Sequence, residues 1–183
     1  LLISRAYLTC DRHLCNNAEL HSLQVQPGAT LMGNSSYSIH PEGVFANNGT
    51  LRPGNSIGSM QIAGNFAQGS SGTMVMEAST SAHDRVEVQG NAQLAGELQL
   101  QLQPDWYANA WKLSQDQVFS ATQRRGAFDR ITASLSSPTL SVLSDSSGWT
   151  VLRNNGSYAR YAANPNAAAV GNGLESAGAG AQH

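Results

Sequence analysis

The chain has 183 residues, with 12% charged and a formal net charge of −2. So sparse a charge argues against a general electrostatic grip on nucleic acid or anionic lipid, and no run approaches the ~18 apolar residues of a membrane-spanning helix. The length suffices for one domain with its own core, and 18 glycines among many Ser, Asn and Gln suit turn-rich β structure with polar outer faces.

Residues 1–19 are poorly patterned; the opening LLIS lacks the basic start of a signal peptide and reads as the edge of a longer chain. Cys10 and Cys15 close a small loop if oxidised, with modest stabilisation because few residues are constrained. A metal reading would recruit His13 and His21, although the spacing is not that of a zinc finger, and free thiols are the third option. Leu20, Leu23 and Val25 alternate before a Pro27-Gly28 turn, and Tyr37 and Ile39 share one face of a strand. Pro41-Glu42-Gly43 and Asn47-Asn48-Gly49 are turn signals; the asparagines either stack from one layer of chain to the next or form an isolated turn.

From Gly49 to Gln103 the chain reads with a period of two. Met60 and Ile62, Met74 and Met76, Val86 and Val88, and Leu98, Leu100 and Leu102 alternate with polar or small residues, the mark of half-buried strands. Strands recur at roughly 8–12-residue spacing with no helical insert, so the fold class is all-β: a sandwich, barrel or coil. Gly64-Asn65 and Gly90-Asn91 punctuate similar segments, a degenerate repeat of about 20 residues such as a β-solenoid leaves.

After Gln103 the rhythm changes. Trp106, Tyr107, Trp111 and Phe119 crowd a segment in which Asp105 is placed to cap one helical turn. This aromatic group reads as a hydrophobic cap or, less simply, as a ligand platform. RITASL, TLSVL and GWTVLR follow, the last two as a closing hairpin that SYARYA extends with Tyr158 and Tyr161. Beyond Pro165 the composition turns to Ala and Gly, with a helical start weakened by Gly171 and Gly173.

Catalytic signals are weak. Gly54-Asn55-Ser56-Ile57-Gly58 matches the nucleophile-elbow pattern, which requires a helix after the serine, whereas an alternating strand follows. The acids are dispersed, unlike the clustered carboxylates of glycan-cleaving β-helices, and Asp84 reads as a turn cap. Arg124-Arg125 is either a processing site or a solvated turn. No catalytic residue, cofactor or metal ligand is assigned, and the chain is not read as an enzyme.

The segment GTLRPGNSIGSMQIAGNFAQGSSGTMVMEAS…DRVEVQGNAQLAGELQLQL resembles the C-terminal passenger region of bacterial autotransporters, the pertactin-like autochaperone segment, at Gly49, Leu51, Pro53, Gly54, Ser56, Gly58, Ile62, Gly64, Phe66, Gln68, Asp84, Val86, Val88, Gly90, Ala92, Leu94, Gly96 and Leu98. The likeness spans about Leu20 to Ala169; Gly126-Ala127-Phe128 fits the family's next block, and Asn166, Ala169, Val170 and Leu174 fit the linker helix that threads its translocation barrel. The resemblance implies a right-handed parallel β-helix (solenoid) with a C-terminal capping hairpin. Its parts would be an upstream coil or loop (1–19), about five or six coils in 20–128 at a rise of ~4.8 Å, a capping region (129–163) and a partly disordered linker (164–183). It also implies partners: the chain's own translocator β-barrel and the upstream passenger, with a host protein as a further possibility and no nucleic acid. The expected role is to nucleate passenger folding during secretion to the surface of a Gram-negative bacterium, in a virulence or adhesion protein. The alternatives are an adhesin-type binding module and the non-catalytic stalk of a secreted protease or esterase. Residues expected to carry folding and capping are Leu98, Leu100, Leu102, Trp106, Trp111, Phe128, Trp149 and Tyr158.

Overall fold

A computed structural model describes residues 2–3, 7–9, 19–135, 137, 139–153, 165–166 and 169–170, with side chains from Leu20 onward. The expectations for Cys10, Cys15, His13, Tyr158 and Leu174 lie outside the described residues. In chain order the first strands are β1 (Leu2–Ile3), β2 (Tyr7–Thr9), β3 (Glu19–Leu20), β4 (Leu23–Val25), β5 (Thr30–Gly33), β6 (Ser35–Ile39), β7 (Phe45–Asn47), β8 (Thr50–Pro53) and β9 (Ser59–Ala63). They are followed by β10 (Phe66–Gln68), β11 (Thr73–Ala78), β12 (Arg85–Leu94), β13 (Glu97–Leu102), β14 (Trp111–Ser114), a helical turn α1 (Gln115–Val118), β15 (Phe119–Gly126), β16 (Arg130–Ser134), β17 (Leu140–Asp145) and β18 (Gly148–Arg153).

The chain is mostly β, and apart from the antiparallel β14, β17 and β18 its strands pair in parallel with strands further along the chain rather than with their immediate sequence neighbours. One ladder runs β1-β4-β7-β10-β12, a second β3-β6-β9-β12, and a third β2-β5-β8-β11-β13-β16. The first two are one nine-stranded sheet because β12 bends between Val88 and Asn91 and so belongs to both; β15 follows the same bend beneath it. The sheets nearly close on one another around a core. Register fixes which side faces in: Phe45 lies opposite Leu23 and Phe66 opposite Phe45, Met60 opposite Ser35 and Val86 opposite Met60, Leu51 opposite Leu31 and Leu98 opposite Met74. A one-residue slip would turn every such side chain out, so the alternating pattern dictates the register.

Leu23, Leu31, Phe45, Leu51, Met60, Ile62, Met74, Met76, Val86, Leu98 and Leu100 are fully buried, each contributing about 1.5–3 kcal/mol by leaving water. The two look-alike Gly-Asn segments stack, Gly64-Asn65 between β9 and β10 and Gly90-Asn91 at the bend within β12. A Cβ on Gly90 would lie 2.3 Å from the Gly64 carbonyl oxygen, and one on Gly64 (φ 133°) would lie 2.8 Å from Ile39. Glycine at 64 and 90 therefore lets successive circuits approach at that corner.

Polar side chains are also passed between circuits. Asn47, wholly buried, donates to Gln68 Oε1 (3.1 Å) and the Thr73 carbonyl (3.2 Å), and Gln68 in turn donates to the carbonyls of Ala95 (3.1 Å) and Glu97 (2.9 Å). Asn91 donates to Asn65 Oδ1 at a neighbouring corner. Of the two readings of Asn47, the stacked one describes this geometry, and it gives the buried Asn47 and Gln68 NH2 groups carbonyl partners while Asn47 Oδ1 is left without one.

Three local expectations are corrected. The parallel ladder does not stop at 128: β16 pairs with β13 through Glu97↔Arg130 to Gln101↔Ser134. Arg124-Arg125 sits in strand β15, not in a turn, because Phe119 to Gly126 continues the β12 ladder. Asp105 caps no helix; its carboxylate is taken by Thr80 and by the Trp106 N–H, while the helical turn forms ten residues on, at Gln115. Pro165, Asn166, Ala169 and Val170 are helical and exposed. Among the described residues no helix is long and apolar enough to cross a membrane.

Candidate functional site: the sealed end of the stack

The end of the stack is closed by an antiparallel sheet assembled from two distant segments. β17 and β18 form a hairpin through Leu140↔Arg153 to Asp145↔Gly148, and β14 adds to its other edge through Trp111↔Val151 to Ser114↔Gly148. β14 lies in the stretch 103–118, inserted into the circuit between β13 and β15. Its return to the stack is made by α1, where Gln117 Oε1 accepts from the Ser114 N–H (2.8 Å). Val118 and Phe119 then enter the core fully buried.

Two aromatic side chains attach this sheet to the stack. Trp149, between Leu113 and Ser144 in register and 2% exposed, donates from Nε1 to the Thr132 carbonyl of β16 at 2.7 Å. Tyr107 turns its hydroxyl to the carbonyls of Ala78 (3.0 Å) and Gln103 (2.9 Å), at the ends of β11 and β13, and meets the Trp111 ring edge-on at 5.1 Å. Burial pushes the Tyr107 phenol up to about 12, aided by the charge of nearby Asp105, so the hydroxyl keeps its proton throughout the ordinary pH range.

A column of rings runs along the core. Tyr37 meets Phe45 (5.3 Å), Phe45 meets Phe66 (5.7 Å), Phe66 meets Phe119 (6.0 Å) and Phe119 meets Phe128 (5.9 Å), mostly tilted or edge-on. Such pairs contribute about 0.5–1.5 kcal/mol beyond area burial. The guanidinium of Arg124 lies over the Phe119 ring and pairs with Asp116 at 2.7 Å.

The predicted folding residues divide. Leu98, Leu100 and Leu102 are buried in β13, Phe128 ends the ring column and Trp149 is enclosed; Trp111 is half-buried against Tyr107. Trp106 is a correction: it is 59% exposed, because its neighbour Tyr107 takes the inward position, and its ring carries the Arg153 guanidinium at 3.7 Å instead of joining the core. Sequence reasoning missed Tyr107 as the anchoring residue of its group. It also missed the ring column, whose signal was available in Phe45 and Phe66, each opening the strand after a Gly- or Asn-containing turn.

Beside the seal lies a cleft of about 420 Å³ between the last parallel strands and the hairpin, lined by Gln101, Gln103, Asp105, Tyr107, Ser134 and Leu140 among others. At the same end of the third ladder, Asp84 is wholly buried and accepts the N–H groups of Gly58 (2.6 Å) and Glu77 (2.8 Å). Burial pushes its carboxyl up to about 7, against the two N–H bonds that favour the anion. Arg52 pairs with Glu77 (2.7 Å) and reaches Gln101 (3.0 Å).

Ser56 is exposed, and Gly58 leads directly into strand β9, so the strand–turn–helix of a nucleophile elbow does not form there. Among the described residues no three His, Cys, Asp or Glu side chains converge as metal ligands. No family model, curated protein or solved structure matches the chain.

Proposed function

We propose that the chain is a right-handed parallel β-helix closed by a C-terminal capping sheet, and that it serves as the autochaperone end of an autotransporter passenger. In this role it nucleates the folding of upstream coils at the surface of a Gram-negative bacterium. The observation that carries this reading is the antiparallel sheet of β14, β17 and β18 set against the C-terminal end of the parallel ladders, with the Trp149 indole bonded to β16. β15 and β16, like β1, β2 and β3, each pair with one ladder strand only, so it is this added sheet that sets the C-terminal end apart. A strand edge backed by a stable stack is a template on which further strands add, because each new coil gains a ladder of backbone bonds and an apolar face to cover. A chain emerging C-terminus first would present the sealed end first and extend from the open one.

The test is surface display of the full-length passenger carrying Trp149→Ala. Display should drop severalfold with synthesis unchanged; display at the wild-type level would refute the role. A second reading, an adhesin-type binding module, draws on exposed Trp106 next to the cleft. It predicts retention of a surface partner by the isolated chain that Trp106→Ala abolishes while display stays normal.

A further inference from the structure

Asp84 is a buried carboxyl that the proposed function does not use. It closes the base of the loop from Ala78 to Asp84. The Asp84 N–H donates to the Glu77 carbonyl (2.8 Å), Oδ2 accepts the Glu77 N–H (2.8 Å), and Oδ1 reaches across to the Gly58 N–H (2.6 Å) in the preceding circuit. One side chain thus ties two circuits at one corner. The tip of the same loop is tied to the start of the capping segment, where Thr80 donates its N–H (2.8 Å) and hydroxyl (2.5 Å) to Asp105. The corner is tight: a Cβ on Gly58 would lie 2.0 Å from Asn34 Oδ1.

The charges facing Asp84 leave the anion poorly compensated. From β11 comes Glu77, a second buried carboxylate that repels it; from β8 comes Arg52, which attracts it but is engaged by Glu77 and Gln101. β13 offers neutral Gln101, and the 54–58 corner offers no titratable side chain. On its own loop, His83 turns Nδ1 to the Asp84 backbone oxygen at 2.9 Å, and Arg85 is exposed. By contrast Asp129, which accepts the Gly96 N–H (2.6 Å) at a later corner, stands in solvent.

We infer that Asp84 is a proton-sensitive staple: held by two N–H donors and no cation of its own, this buried carboxyl destabilises the folded chain when it ionises, so that the stack is more stable in mild acid than at neutral pH. The physical reason is that two N–H bonds without a cation do not repay the loss of water around a buried anion. The sign follows from linkage. The group is held above its ordinary value, toward about 7, only in the folded chain. Between about 4 and 7 the folded chain therefore binds more protons than the unfolded one, and stability falls as pH rises through that window.

The experiment follows the Asp84 carboxyl carbon by NMR titration of the 183-residue chain, assigned by its absence in Asp84→Asn, together with denaturant unfolding of both proteins at pH 5 and pH 8. The expected midpoint is near 7. The folding constant of the wild type should be about tenfold to a hundredfold larger at pH 5 than at pH 8, relative to the same ratio in Asp84→Asn. The five histidines are common to both proteins, so their contribution cancels in the comparison. A midpoint in the usual carboxylate range near 4, or equal pH ratios in the two proteins, would overturn the inference. Should the variant fail to fold, the wild-type titration decides alone, its signal assigned through the bonds that link the carboxyl carbon to the Asp84 backbone.

Discussion

The parallel stack and its seal are built on different principles. In the stack each strand repeats its neighbour, and stability is spread over many equivalent apolar side chains such as Leu51, Met74, Leu98 and Leu100, all fully buried. In the seal the contacts are few and individual: the Trp149 indole on the Thr132 carbonyl, the Tyr107 hydroxyl on Ala78 and Gln103, and Gln117 returned to Ser114. A repeated structure tolerates weakening at one level because its neighbours persist, while a structure of single links has a few places where it opens. The difference can be broken deliberately, from the core outward.

The largest effect is expected at Leu100. It is fully buried in β13 between Met76 and Ala133 in register, with strands on both sides to hold the cavity open. Leu100→Ala should cost about 2–5 kcal/mol in denaturant unfolding, and Leu100→Asp should prevent folding. Next comes Gly90→Ala. Its added methyl would sit 2.3 Å from the Gly64 carbonyl oxygen, so the corner must spread, at a cost of about 1–3 kcal/mol. A neutral result at Gly90 would show that the circuits are less tightly stacked there than the geometry requires. In the seal, Trp149→Phe keeps the ring but orphans the Thr132 carbonyl, costing about 1–2 kcal/mol. Hydrogen exchange should then accelerate in β14, β17 and β18 before β6, β9 and β11; uniform acceleration would mean that the two regions open as one.

How much of this was legible in the sequence follows the same division. The stack was readable because most strands from Leu23 to Leu102 repeat one rule, apolar in and polar out, with β11 buried on both faces as the exception, and because glycines recur where circuits touch. Even the stacking of Asn47 could be entertained, although choosing it over an isolated turn needed Gln68 to be opposite, which is a matter of register. The seal was half readable. The hairpin of β17 and β18 announces itself by two short alternating runs around Asp145 and Gly148. Its third strand did not: WKLS is four residues long, aromatic-rich and separated from β18 by the whole of β15 and β16, so nothing local assigns its partner. Trp106 and Tyr107 are adjacent, and alternation says that one faces in and the other out, but only the fold says which. Asp84 looked like an ordinary turn acid, since its burial depends on Gly58 and Glu77 arriving from elsewhere.

The smallest expected effect gives the sharpest comparison within the seal. Trp106 and Tyr107 are neighbours in sequence, yet one is 59% exposed and the other 2%. Tyr107→Phe removes a hydroxyl that meets two carbonyls at the ends of β11 and β13, and should cost about 1 kcal/mol. Trp106→Ala removes only a ring stacked on Arg153 in solvent, and should cost about 0.5–1 kcal/mol or less. A loss above about 2 kcal/mol for Trp106→Ala would mean that the ring is held against apolar surface and belongs to the seal after all. A loss near zero, with Tyr107→Phe measurably weaker, would establish that the seal rests on the inward member of the pair and leaves the outward one available for contact.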